Sequence, residues 1–169
     1  MRTIIFILFL MPIIAAAQKQ DVYIKLADAN GVQIKGDATL KGFEKCMQAL
    51  TTNSGGKSNT QFSFTMNVSG ASADLKRAMN GGEFLSSGLV TVTQPGTGKP
   101  LIVYTIKMEK IKITSCNESM GCNNVMTTSV TLQAGRIGWT YYQTNATGTQ
   151  TVSNKYSYDA EAGGPWTKF

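Results

Sequence analysis

Residues 129–144 read SVTLQAGRIGWTYYQT, and this stretch decides the fold class because apolar and polar residues alternate along it. The alternating apolar positions are Val130, Leu132 and Ala134 before Gly135, and Ile137, Trp139 and Tyr141 after it. Successive side chains of a β-strand point to opposite faces, so a period of two predicts strands with one apolar face. We therefore predict paired strands at Asn124–Ala134 and Arg136–Thr144, with a break at Gly135 and no catalytic group nearby.

The same alternation predicts further strands outward from this stretch. They are Asp21–Ala27, Gln61–Val68, Leu85–Thr93, Leu101–Thr114 and Thr151–Tyr158. The long mixed segment 28–58 lies between the first two of these strands, and within it Phe43–Leu50 is compatible with a strand or a short helical turn. The tail 162–169 is interrupted by glycine and proline, and we expect it to be loose or packed at an edge.

One segment is typical of a helix. Ser72 is a candidate N-cap and Asp74 falls in the predicted first turn, where negative charge is favoured. An apolar stripe at helical spacing follows, formed by Leu75, Ala78 and Met79, and Gly81 and Gly82 end the helix. About seven strands and one short helix indicate a mainly β protein, a small antiparallel β-barrel or a sandwich.

The first residues have the layout of a signal peptide. Arg2 precedes an apolar run from Ile4 to Ile14, and small residues at 15–17 suit cleavage after Ala17. The run is shorter than the roughly 20 residues of a spanning helix, so we predict export to the periplasm or medium and no stable membrane span. Residues 1–17 are then a signal peptide and residues 18–169 a single domain.

The charge pattern argues against nucleic acid as a partner. The chain carries 16 basic and 10 acidic residues, a net charge of +6. These charges are scattered, and the one local cluster is Lys107, Lys110 and Lys112 beside Glu109. A nucleic-acid-binding protein more often shows a dense basic stripe interleaved with aromatic residues. We read the lysines as a solubilising face.

The chain contains no histidine, which excludes Ser/His/Asp and Cys/His catalysis as usually built. It also removes the commonest metal ligand, so we predict no metal, no cofactor and no enzyme activity. A hydrolase with paired carboxylates, such as Glu109 and Asp159, stays open as a minor alternative.

The cysteines suit an exported chain. Cys116 and Cys122 flank five residues of a polar loop and are candidates for a disulfide across a hairpin tip. Cys46 lies between Phe43 and Met47, and we expect it to be a buried small apolar residue.

An ordered set of segments resembles the haemolysin-coregulated protein (Hcp) family of type VI secretion systems. The segments are DVYIKL from residue 21, FSFTMNVSGASADLKRAMNGGEF from 62, YTIKMEKIKITS from 104 and SVTLQAGRIGWTYYQT from 129. The last one matches the closing G-[KR]-I-x-W-x-Y pattern of the family through Gly135, Arg136, Ile137, Trp139 and Tyr141. We interpret Gly135, Ile137, Trp139 and Tyr141 as structural residues of a β core, in preference to a ligand-binding surface around Trp139.

The resemblance implies a β-barrel with one flanking helix that assembles into homohexameric rings. The rings stack into a tube whose lumen shelters effector proteins. By the same analogy residues 28–58 are the stacking loop, with Lys41, Gly42 and Phe43 near its contact surface. The signal peptide departs from the family, whose members usually lack one. A secreted monomeric barrel that binds a glycan or an acidic surface, through Tyr141-Tyr142 and the face of Lys107 to Lys112, is the alternative function.

Overall fold

A computed structural model describes residues 19–55, 60–96, 98–121, 124–145 and 147–169. The strands in chain order are β1 Asp21–Ala27, β2 Met47–Ser54, β3 Gln61–Asn67, β4 Phe84–Gln94, β5 Leu101–Met120, β6 Met126–Thr144 and β7 Gln150–Asp159. One helix, α1, spans Gly70–Asn80 between β3 and β4. The mainly β class with a single short helix is confirmed in the described ranges.

Six antiparallel strands close into a barrel, which confirms the predicted architecture. The sheet order is β3-β2-β1-β4-β5-β6-β7, and an additional β3–β6 pairing joins its two sides. The barrel interior holds one contiguous apolar cluster that includes Ile24, Phe62, Leu85 and Met108. Among the described strands, β7 pairs with β6 and stands outside the closed ring, and its last residue, Asp159, also forms a bridge with Gly164 of the tail.

The prediction of two strands separated at Gly135 is wrong, because β6 runs without a turn from Met126 to Thr144. Gly135 instead marks the point where β6 changes partner. Residues 127–133 of β6 pair with β3, whereas residues 136–144 pair with β7. The residues that pack into the core cluster shift from even to odd numbers there, from Ala134 to Ile137 and Trp139, and the even-numbered Gly138 and Thr140 are buried as well. A phase shift without a turn looks like a strand break in the sequence.

The opposite strand, β5, bends at the same level. Lys110 has a left-handed backbone with φ of 52°, and a β-carbon on Gly135 would lie 2.9 Å from the Lys110 β-carbon. Glycine is therefore required where the two bends face each other. Beyond the paired bends, the β5–β6 hairpin changes its neighbour, because β6 pairs with β3 before Gly135 and with β7 after it.

The helix packs against β5, and its buried residues join the barrel core. Its N-cap is Ser69 and not Ser72, so that prediction is wrong. Ser72 occupies the third helical position, where its Oγ accepts a 3.1 Å hydrogen bond from the Ser69 backbone N–H. Asp74 lies beyond the first turn and pairs with Arg77 at 2.9 Å. The apolar stripe is confirmed, because Leu75 and Ala78 are buried and Met79 packs against the core.

The predicted long loop, residues 28–58, contains a strand. Its second half forms β2, which resolves Phe43–Leu50 into a turn followed by a strand. Residues 28–46 fold over the outer face of β1, where Tyr23, Ala38 and Cys46 form a second apolar cluster. Burial of Cys46 confirms the prediction made for it. In the described part of the chain, no helix has the length and apolarity needed to cross a membrane.

Candidate functional site

Strand β7 presents an edge that pairs with no further strand in the described part of the chain. It is the terminal strand of the sheet order and hydrogen-bonds to β6 on one side. Its exposed residues include Val152 at 50% and Tyr156 at 41% of full exposure. An edge strand carries unpaired backbone N–H and C=O groups, and these form a template for pairing with another chain. We call this surface the β7 edge.

An aromatic face adjoins the β7 edge. Trp139 stacks with Tyr156 at a ring distance of 5.6 Å, and Tyr104 lies 5.6 Å from Tyr141. Trp139 is buried and donates a hydrogen bond from Nε1 to Ser54 Oγ at 3.3 Å, whereas Tyr141 is 44% exposed. Apolar rings with a polar tip are the side chains that protein interfaces favour. This aromatic face therefore joins the barrel core to a surface suited to a protein contact.

The residues of the family motif differ in how deeply they are buried. Ile137 is fully buried and Trp139 nearly so, which agrees with their interpretation as core residues. Gly135 stands at the bend between β5 and β6. Tyr141 shares the face of Trp139, yet it is 44% exposed. The motif therefore builds the core at one end and reaches the surface at the other.

The C-terminal tail packs on the face of the sheet opposite the aromatic face, where it contacts β7. Trp166 is 5% exposed, and its carbonyl accepts a 3.2 Å hydrogen bond from Ser157 Oγ. The Nζ of Lys107 lies 4.8 Å from the centre of the Trp166 ring system. Lys155, an edge residue of β7, directs its Nζ to the Phe169 ring at 5.3 Å. The tail is therefore packed at this edge of the sheet. It also holds Lys155, the one lysine of β7, against the Phe169 ring, so that this charge does not oppose strand pairing along the edge.

A charged cluster anchors the start of this tail. Asp159 Oδ2 accepts a 2.7 Å hydrogen bond from Arg136 Nε, and its Oδ1 accepts from the backbone N–H groups of Glu161 and Ala162. The hydrogen bond from Arg136, followed by that from Ala162, holds the pKa of Asp159 below its ordinary value. Arg136 Nη1 also lies 3.5 Å from Glu109 Oε2. The cluster is a structural tie between β5, β6 and the tail.

The same cluster bears on the carboxylate-hydrolase alternative. The structure does bring Glu109 and Asp159 to one arginine. A glycosidase of this kind needs one carboxyl group with a raised pKa that holds a proton as general acid. The pKa of Asp159 moves the other way, so Asp159 does not fit the role of general acid. Within residues 19–169, apart from the undescribed gaps, no group of three potential metal ligands occurs.

The predicted stacking residues lie in the loop over β1. Lys41 and Gly42 are exposed, and Gly42 has φ of 91° while its N–H donates to Glu44 Oε2 at 2.8 Å. Phe43 is partly buried and stacks on Tyr23 with ring centres 4.3 Å apart. The Phe43 ring therefore fixes the loop to the barrel, and the neighbouring Lys41 and Gly42 form its accessible tip.

Of the two cysteines of the predicted disulfide, Cys116 alone lies within the described residues. Cys116 is buried in the barrel core, and burial raises the pKa of its thiol. Cys122 lies outside the described residues, as do residues 1–17 of the predicted signal peptide. Both features stay predictions.

Sequence reasoning missed the β7 edge, and for the tail it left open whether the segment is loose or packed. Thr151–Tyr158 was predicted as a strand, but alternation does not tell which strand lacks a second partner. The available signal for the tail was Trp166 and Phe169, two large aromatics in a short segment otherwise rich in glycine.

Comparison with known proteins identifies a family. Residues 23–141 match the family model described as "Type VI secretion system effector, Hcp". No curated protein sequence matches the chain significantly.

Solved structures show the same fold. Hcp1 of Salmonella typhimurium aligns with a TM-score of 0.70 and 17% identity, covering 87% of this chain and 99% of that one. A double mutant of Hcp1 from the E. coli EAEC 042 pathovar gives 0.67 and 22%, covering 82% and 97%. Secreted Hcp3 of Pseudomonas aeruginosa gives 0.65 and 18%, covering 83% and 98%. At these identities the likeness concerns the fold.

Proposed function

The chain belongs to the Hcp family of type VI secretion proteins, and on that premise we propose that it is a structural and carrier protein that assembles into hexameric rings. The observation that supports this most is the β7 edge, the outer edge of a strand that stands outside the closed barrel. A subunit with one pairing edge suits head-to-tail contacts, which close into a ring when the rotation per subunit closes.

The proposed ring contact runs along the β7 edge and its aromatic face. Backbone groups of β7 would pair with the neighbouring subunit, while Val152, Tyr156 and Tyr141 supply apolar contact area. The neighbour would cover rings that are now about half exposed. Stacking of rings would use the loop tip at Lys41 and Gly42, and the lumen would hold an effector protein by analogy with the family.

Export is part of the proposal. The signal-like segment 1–17 supports a periplasmic or secreted protein, and residues 18–169 would form the working domain. No enzyme activity is proposed, because the ion-paired carboxylates described above suit structure better than acid catalysis.

Mass photometry with negative-stain imaging tests the ring directly. We expect particles of six times the subunit mass with a central channel. Val152→Lys with Tyr156→Lys places charge on the β7 edge and should convert the rings into monomers. Val125→Lys, at the tip of the β5–β6 hairpin and 48% exposed, is the matched control and should retain the ring mass. A wild-type protein that is monomeric at all concentrations would contradict the proposal.

Stacking is tested separately from ring formation. Lys41→Glu at the loop tip should shorten or abolish stacked tubes in micrographs while rings persist. Lys99→Glu, an exposed lysine in another loop, is the control of equal charge change. Equal loss of stacks in both variants would point to net charge and not to the loop contact.

A secreted monomeric binding module remains the second candidate, and the exposed Tyr141 favours it. A monomer that binds a glycan in an array, with binding lost in Tyr141→Ala, would support that function in place of the ring.

A further inference from the structure

An apolar groove lies at the bend of the β5–β6 hairpin, away from the β7 edge. Its volume is about 680 Å³. Small and apolar residues form much of its lining, among them Ala29, Phe84, Leu85, Ala134 and Ala160. None of these residues takes part in the ring contact, the stacking loop tip or the tail cluster proposed above.

The groove lies where the two bends face each other. Lys110 adopts φ of 52° opposite Gly135, which has no side chain, and both residues line the groove. The Ala160 N–H donates a 2.9 Å hydrogen bond to the Gly135 carbonyl and holds the far wall in place. The groove is therefore built by hydrogen-bonded backbone and exists before any partner arrives.

The floor and rim differ in character. Leu85 is fully buried beneath the groove, whereas the Phe84 ring at its side is 58% exposed. An exposed phenylalanine beside small apolar residues offers contact area to an incoming apolar side chain. The groove is open to solvent, so a free small molecule would stay largely uncovered. A side chain carried on a protein surface would be covered by the rest of that protein.

The rim carries positive charge. Lys110 and Lys112 both line the groove, against a single carboxylate, Glu161. Glu161 is engaged by Lys110 at 2.6 Å. Lys112 is exposed, lies directly opposite Phe84 in the β4–β5 register and forms no salt bridge within the described residues. A free cation next to an exposed aromatic ring is complementary to a carboxylate next to an apolar side chain.

We propose that this groove binds an acidic segment of a partner protein, with an aromatic or aliphatic side chain seated against Phe84 and a neighbouring carboxylate bound by Lys112. The proposal concerns a surface distinct from the ring and stacking contacts. It holds for a monomer as well as for a hexamer, so its failure would not bear on ring formation.

Fluorescence anisotropy of the purified protein tests the proposal with fluorescein-labelled hexapeptides. The probe is Gly-Asp-Glu-Phe-Asp-Gly, and the comparison peptides replace its Phe by Ser or its acids by Lys. We expect saturable binding of the probe that weakens with added salt, because salt screens the charge contact. Both comparison peptides should bind about fivefold or more weakly, the size of one exposed contact.

Variants locate the site. Phe84→Ser and Lys112→Ser should each weaken the probe about fivefold. Val125→Ser and Lys99→Ser are matched exposed controls and should leave probe affinity unchanged. Lys112→Ser changes an exposed side chain, so it remains informative if Phe84→Ser is unstable. Absence of saturable binding, or equal binding of all three peptides, or equal effects of site and control variants, would overturn the proposal.

Discussion

The Phe169 ring lies against Gly138, so closely that a β-carbon at position 138 would come within 2.4 Å of a ring carbon. Gly138 sits in the middle of β6 between Lys107 on β5 and Ser157 on β7. The last residue of the chain thus depends on the absence of a side chain in the central strand of this part of the sheet.

Gly138→Ala should therefore destabilise the protein by about 1 to 3 kcal/mol, the usual cost of overpacking. Urea unfolding followed by tryptophan fluorescence measures it. Gly70→Ala is the control, because nothing lies within 4 Å of a β-carbon there, and it should cost no stability. Phe169→Ala should remove most of the cost of Gly138→Ala in a double-mutant cycle. Strict additivity of the two changes would contradict the contact.

Stability should fall in acid through Asp159. Its pKa is lowered in the folded state, chiefly by the hydrogen bond from Arg136. The stabilisation is therefore fully present above the ordinary aspartate pKa of about 3.9 and is lost as pH falls through the lower folded value. Asp159→Asn should reduce stability at neutral pH, and its difference from wild type should shrink below about pH 4.

Urea unfolding from pH 7 to pH 2.5 measures this difference. Asp37→Asn, at an exposed loop residue, is the control and should leave the curve unchanged. A difference between wild type and Asp159→Asn that stays constant with pH would show that the ion pair contributes nothing as a charge.

Trp139→Ala should cost about 3 to 5 kcal/mol because it empties a buried site in the barrel wall. The loss includes the ring contact with Tyr156 and the hydrogen bond to Ser54. Tyr141→Ala, on the same face but 44% exposed, should cost about 1 kcal/mol or less. Thermal unfolding measures the stability of both variants. Equal losses of stability would contradict the assignment of Trp139 to the core and Tyr141 to the surface.

The thiols of Cys46 and Cys116 should react slowly with iodoacetamide in the folded protein at pH 7.5. Burial raises the pKa of both thiols, so the reactive thiolate is scarce as well as shielded. Mass spectrometry of native and urea-unfolded samples measures the labelling, which should rise sharply on unfolding. If the predicted Cys116–Cys122 disulfide forms on export, Cys116 will stay unlabelled in urea until a reductant is added.

Local sequence patterns were enough to predict the positions of most strands and of the helix. Alternation located β1, β3 and most of β5 because one face of each of these strands meets the core. It also located most of β7, although Tyr158 is the one partly buried apolar residue of that strand that packs against the core cluster. It failed at Gly135, where a change of strand partner shifts the phase by one residue and resembles a break. It also left β2 undecided, since only part of that strand alternates between buried and exposed positions.

The candidate site was less predictable. Lys41, Gly42 and Phe43 rest on a resemblance, and the structure places Phe43 against Tyr23 beside the exposed Lys41 and Gly42, so their role in stacking stays a prediction. The capping serine was misplaced by three residues because Ser69 and Ser72 are both good caps, and the exit of β3 decides between them. No local signal marks β7 as the open edge.

The sequence by itself determined that the chain is a β protein with one short helix, that histidine-based chemistry is absent, and that its segment order is that of the Hcp family. These properties depend on residue type and short-range periodicity. Tertiary structure alone decided where β6 changes partner, which strand edge stays open, and that Phe169 rests on Gly138. Those features join residues far apart in the chain, and their energies depend on which surfaces meet once the barrel has closed.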